Sequence, residues 1–137
     1  MKRTQLLESY PIFALEIGRE ETSLRDVEAI AAYLRAQIEA EPAATYIATF
    51  DHHAHTRGLP DGQIAPEIQA ACNVVFCFGL TLPDPQALAL RPRSIGIAAL
   101  PGHFVISFLE TPMPVANSAM ERWALALRDG AAGDRAH

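Results

Sequence analysis

Between Pro11 and Gly18 the chain alternates, with Phe13, Leu15 and Ile17 on one side and Ala14 and Glu16 on the other. A period of two predicts a strand. Leu6 and Leu7, just ahead of it, suggest a short helical turn. From Ser23 the period lengthens. Leu24, Val27, Ile30, Ala31, Leu34 and Ile38 recur at helical spacing, while Arg25, Asp26, Glu28, Arg35 and Glu39 take the other side. Ser23, with Asp26 three residues on, approximates a capping box with a shortened acid. Pro42 closes the helix, whose apolar stripe is expected to lie on a sheet.

Tyr46 to His55 then reads as a second long strand. Its even positions Tyr46, Ala48 and Phe50 are apolar and are expected to face the helix. The odd positions Thr45, Ile47, Thr49, Asp51, His53 and His55 form a more polar face. His52 falls on the core side, near its rim. Arg57 to Gly62 is rich in turn formers.

Pro66 suits the first turn of a helix running through Ile68, Ala71, Cys72 and Val75 to a stop at Gly79. Val74 to Phe78 reads equally well as a buried strand, because a short apolar run does not choose its period. Asp84 caps a short helical turn that begins at Pro85 and runs through Leu88. Ser94 to Leu100 and Phe104 to Thr111 flank Pro101-Gly102, a pair suited to a type II bend, and predict a hairpin. Pro112 and Pro114 break it. Ser118 and Glu121 form a capping box for a last helix that buries Met120, Trp123, Ala124 and Leu127.

The resulting order is β-α-β-α-β-β-α. It predicts an α+β, two-layer sandwich in which a mainly antiparallel four-stranded sheet carries its helices on one face. Residues 1–129 form the expected single domain, and 130–137 a frayed tail. A sheet covered on one side leaves its second face open. With Ile47 exposed there, that face is expected to be closed by a second copy, making a homodimer.

Composition narrows the function without naming it. The 137 residues are half hydrophobic and one-fifth charged, as in globular proteins. A net charge of −5 argues against general nucleic-acid binding, which needs a basic face. No apolar run is long enough for a membrane helix, and the start lacks the core of a signal peptide, so the expected location is the cytoplasm. Cys72 and Cys77 fit that compartment as reduced thiols. Apolar neighbours such as Phe76 and Phe78 would raise thiol pKa values, which favours packing roles over nucleophilic ones.

The densest set of candidate ligands is Asp51, His53 and His55. On one strand face the two imidazoles would stand about 7 Å apart with the carboxylate beside them. Such a set can hold a divalent transition metal such as zinc, iron or manganese, with Asp51 as ligand or orienting partner. His103 could join only if folding brought the hairpin turn close. The plainer reading is a polar strand end facing solvent. Arg91 and Arg93, stiffened by Pro92, are candidates to bind an anion, unless acids such as Asp84 or Glu110 neutralise them. Three functions therefore compete. The first is a homodimer binding a metal or small ligand at the histidine site. The second is an enzyme using those histidines as acid and base on an anionic substrate, and the third is a non-catalytic interaction module.

Phe76-Cys77-Phe78-Gly79, Arg91-Pro92-Arg93-Ser94-Ile95-Gly96 and Phe104-Val105-Ile106-Ser107-Phe108-Leu109-Glu110 together resemble a small uncharacterised bacterial family, a domain of unknown function. The resemblance spans about residues 10 to 127. It implies no activity, cofactor or site residue.

Overall fold

A computed structural model describes residues 1–6 and 9–128. The strands are β1 (Lys2–Leu6), β2 (Tyr10–Gly18), β3 (Ala44–Asp51), β4 (Ala70–Phe78), β5 (Arg93–Leu100) and β6 (His103–Leu109). The helices are α1 (Val27–Ala40), α2 (His52–Arg57) and α3 (Pro114–Leu125). All six strands pair antiparallel in the order β1-β2-β6-β5-β4-β3. The α+β class and the layer of helices on one face stand. The count of four strands and the element order need correction.

Both added strands have local causes. Lys2–Leu6 pairs with β2 instead of forming a helical turn at Leu6; Leu7 and the 130–137 tail lie outside the described residues. The segment after Pro66 is strand and not helix: Cys72, Val74, Phe76 and Phe78 are buried in strict alternation. The helical spacing of Ile68, Ala71, Cys72 and Val75 is coincidental. β-Branched and aromatic residues in a buried central strand outweigh it. A proline at 66 then serves the turn before the strand, where Ile68 N–H donates to the Ala65 carbonyl at 3.0 Å.

One sheet face holds the core. Ile17, Val74, Phe76, Ile95, Phe104 and Ile106 are fully buried there. They pack beneath Val27, Ile30, Leu34 and Ile38 of α1 and Ala116, Met120, Trp123 and Ala124 of α3. Trp123 is the keystone of the α3 contact, its ring centroid 5.8 Å from Phe76 and 6.3 Å from Phe78. Helix α1 starts later than the sequence pattern suggests. Asp26 itself is the cap, its carboxylate accepting from Ala29 N–H at 2.8 Å. Helix α3 starts earlier, at Pro114, so Ser118 lies inside it. The α1 cap lies three residues after Ser23, and the α3 cap, Met113, five residues before Ser118. The predicted β5–β6 hairpin forms, and Gly102 takes the positive φ of 85° that its turn requires.

The opposite face has no long helix over it. Its central strands present Ala71, Val75, Ala98, Val105 and Ser107, all partly exposed. Beside it, the β4–β5 connection exposes Leu80 at 84%, Leu88 at 61% and Leu82 at 59%, next to an exposed Ile47.

Candidate functional site

Strand β3 is an edge strand, and its register slips between Tyr46 and Ala48. Tyr46 stands opposite Phe76, on the core side. After the slip, Ala48 stands opposite Val75 and Phe50 opposite Asn73, on the open side. Thr49 and Asp51 stand opposite Val74 and Cys72, on the core side. The expected assignment therefore holds for Tyr46 and reverses beyond it. An extra residue, Ile47, sits in a bulge, and each bulge changes which face the following side chains take.

The strand also ends earlier than its composition suggests. At Asp51 the carboxylate turns inward to accept the Ala54 N–H at 2.9 Å, and His52–Arg57 follow as helix α2. Gly58 closes that helix, donating to the Ala54 carbonyl at 3.1 Å. So short a helix depends on its cap and on packing against β4.

This turn of helix dismantles the expected Asp51, His53 and His55 metal set. Residues two apart on a helix project about 200° apart, so His53 and His55 diverge. His53 lines a cavity with Asp51, while His55 lies beside Phe50, ring centroids 5.2 Å apart. No group of three or more His, Cys, Asp or Glu side chains is placed to hold a metal ion among the described residues. His52, expected near the core rim, is exposed on the open side with Nδ1 at 2.9 Å from Asn73 Oδ1. His103 begins β6 opposite Leu100, three strands away from β3.

What gathers instead is a cavity of about 260 Å³ between the first turns of α1, the end of β3, α2 and the start of β4. Its walls carry Glu28, Thr49, Asp51, His53 and Arg57, and Cys72 and Val27 line its apolar side. Sequence reasoning finds Asp51 and His53. It misses Glu28, which reads as one of many acids on the solvent side of α1, and Arg57, which reads as part of a loop. No local pattern distinguishes them, because only the packing of α1 against β3 and β4 brings them to this place.

The electrostatics of the cavity are read from its thiol. Burial first, then Glu28 and then Asp51, push Cys72 up from its ordinary 9.0 to about 11. Cys72 is therefore a neutral packing thiol and not a nucleophile. Glu28, Asp51 and Cys72 all line this one space. Between about pH 9 and about pH 11 the unfolded chain gives up this proton while the folded chain keeps it. Stability then falls as pH rises through that window and is unaffected below it. Denaturant melts should show the stability gap between wild type and Cys72→Ala narrowing over that range and staying constant below it.

The arginines lie elsewhere. Phe76, opposite Arg93, stands four residues along β4 from Cys72, opposite Asp51, or about 13 Å at strand rise. Neither Arg91 nor Arg93 forms a salt bridge among the described residues. Glu110 pairs with Arg3, and Asp84 caps the following turn by accepting from Gln86 N–H at 2.6 Å. Arg91 donates to the Thr81 carbonyl, while the Arg93 Nε is buried without a partner among the described residues. Burial, and then the Arg91 charge, push the Arg93 guanidinium pKa down.

No described helix is long and apolar enough to cross a membrane. The model of a family of unknown function, DUF6858, matches residues 1–129. No curated protein and no solved structure matches the chain.

Proposed function

Because the chain belongs to DUF6858, a family of unknown function, we propose its role from the cavity itself: it is a binding module for a small organic cation. The observation that carries this reading is that Glu28 and Asp51 both line the walls of one cavity. One Asp51 oxygen is committed to capping α2, which leaves the other free to accept from a ligand. An ammonium group between the two carboxylates would donate charge-assisted hydrogen bonds to both. His53 and Arg57 at the walls suit a hydroxyl or carboxylate on the ligand's other end. The volume suits a small metabolite better than a nucleotide.

Acid–base catalysis by the histidines on a substrate held by Arg91 and Arg93 has less support, since the two groups occupy different ends of β4. An anionic ligand held by Arg91 and Arg93 would have no help from His53.

Thermal-shift measurements with small primary amines, amino acids and plain carboxylic acids test the cation reading. An amine at about 100 times its Kd should add about 2.7 kcal/mol of stability. That gain should vanish in Glu28→Gln and weaken in Asp51→Asn, which preserves the helix cap. Absence of any amine effect, or an undiminished effect in Glu28→Gln, defeats the proposal.

The uncovered sheet face supports a second reading, pairing of two chains. Six strands about 4.8 Å apart and about seven residues long give this face roughly 600 Å². Two copies would then bury about 1,200 Å², the lower end for a specific interface. Alanine and glycine at its centre keep the face flat, which lets two sheets approach to about 10 Å. Leu80, Leu82 and Leu88 extend the apolar area beyond the strands.

A further inference from the structure

The turn of helix that separates His53 from His55 brings a different pair together. Positions three apart on a helix share a side, and His52 and His55 stand with ring centroids 6.1 Å apart. We propose that His52 and His55 form a two-imidazole site for a divalent transition metal on the open side of the sheet.

Three observations support it. The first is a hydrogen-bonded relay behind His52. Asn73 Nδ2 donates to Ser94 Oγ at 3.0 Å, so its Oδ1 is the end that accepts from His52 Nδ1–H, 2.9 Å away. That proton on Nδ1 leaves Nε2 as the nitrogen with the lone pair, the tautomer a metal needs. Metal-bound histidines are held by such partners through their other nitrogen. Second, Phe50 steadies both rings from the side. Its centroid is 5.3 Å from His52 and 5.2 Å from His55, so the three rings form a near-equilateral triangle and Phe50 does not come between the imidazoles. Third, both histidines are exposed, so an ion can reach them. Two imidazoles on one tetrahedral ion have centroids about 5 Å apart, given metal–nitrogen bonds near 2.0–2.1 Å. A side-chain rotation of exposed His55 closes the difference. The ion's remaining positions are left to water or an exogenous ligand.

Zinc titration of tag-free protein against a competing chelating dye tests this directly. Wild type should bind one zinc per chain. His52→Gln and His55→Gln should each weaken binding at least tenfold, and Asn73→Ala about tenfold or more through loss of the relay. His53→Gln should change affinity less than twofold, and the thermal melts of all four variants without metal should remain cooperative. The site is refuted if wild type shows no saturable binding, or if His53→Gln weakens it as much as His55→Gln does. Neither result bears on the amine cavity, which is scored separately by the Glu28 variant.

Discussion

Replacing Trp123 with alanine should remove about 3–5 kcal/mol of folding stability, the range for emptying a large aromatic from a core. Trp123 is only 3% exposed and lies against Phe76 and Phe78. Those residues belong to β4, whereas α3 otherwise packs against β2 and α1. The indole thus bridges the helix to a strand it does not follow in sequence. Its removal leaves a void that Ala119, Met120 and Ala124 are poorly placed to fill, because they already pack elsewhere in the same core. Urea unfolding followed by circular dichroism gives the number directly. Fluorescence cannot, since Trp123 is the sole tryptophan. Val115→Ala on the same helix, at a residue 68% exposed, should cost less than about 0.5 kcal/mol. Equal losses for the two variants would show that α3 is not anchored through its indole.

The second large effect concerns association and leaves folding almost untouched. Ala98 sits in β5 on the uncovered face, opposite Ala71 and Val105 on its two neighbours. In a dimer built on that face, Ala98→Glu places a carboxylate from each chain in an apolar interface. Uncompensated buried charge there costs several kcal/mol, enough to separate a pair joined by about 1,200 Å². Sedimentation equilibrium should change from the mass of two chains to that of one. The melting temperature of the separated chain should change little, because the introduced carboxylate is then in water. A wild type that sediments as one chain even at high concentration removes this pairing, and an Ala98→Glu protein that remains paired moves the interface to another surface.

The legibility of this chain divides along physical lines. Period and capping identify β2, α1 and the β5–β6 hairpin, because each has its own local pattern and is bounded by turn residues. β4 is ambiguous for a reason intrinsic to buried strands: Val74, Val75, Phe76, Cys77 and Phe78 are all apolar, so the outer face supplies no polar marker. The register slip at Ile47 is invisible, as its backbone is set by pairing with β4 and not by any glycine or proline in β3. That one residue misplaces Ala48, Thr49, Phe50 and Asp51 together. At the histidines, the error is one of period. Asp51 followed by His-His-Ala-His reads as extended chain, yet an acid followed three residues later by an unpaired backbone N–H is also a helix start. Asp51 and His53 do line a cavity, but their companions Glu28 and Arg57 come from distant elements and no local signal marks them.

The irregularity at Ile47 also decides what kind of protein this can be. Were β3 regular from Tyr46 onward, Phe50 would join the oily interior and Asp51 would share a surface with Asn73. The acid would then be parted from Glu28, while no aromatic ring would flank His52 and His55. A half-step in strand phase thus sorts one short peptide into two neighbourhoods, an anionic recess on one side and an aromatic–imidazole platform on the other. Sequences that keep every side chain here but lose that half-step would be expected to keep the architecture and forfeit both places where ligands are proposed to bind.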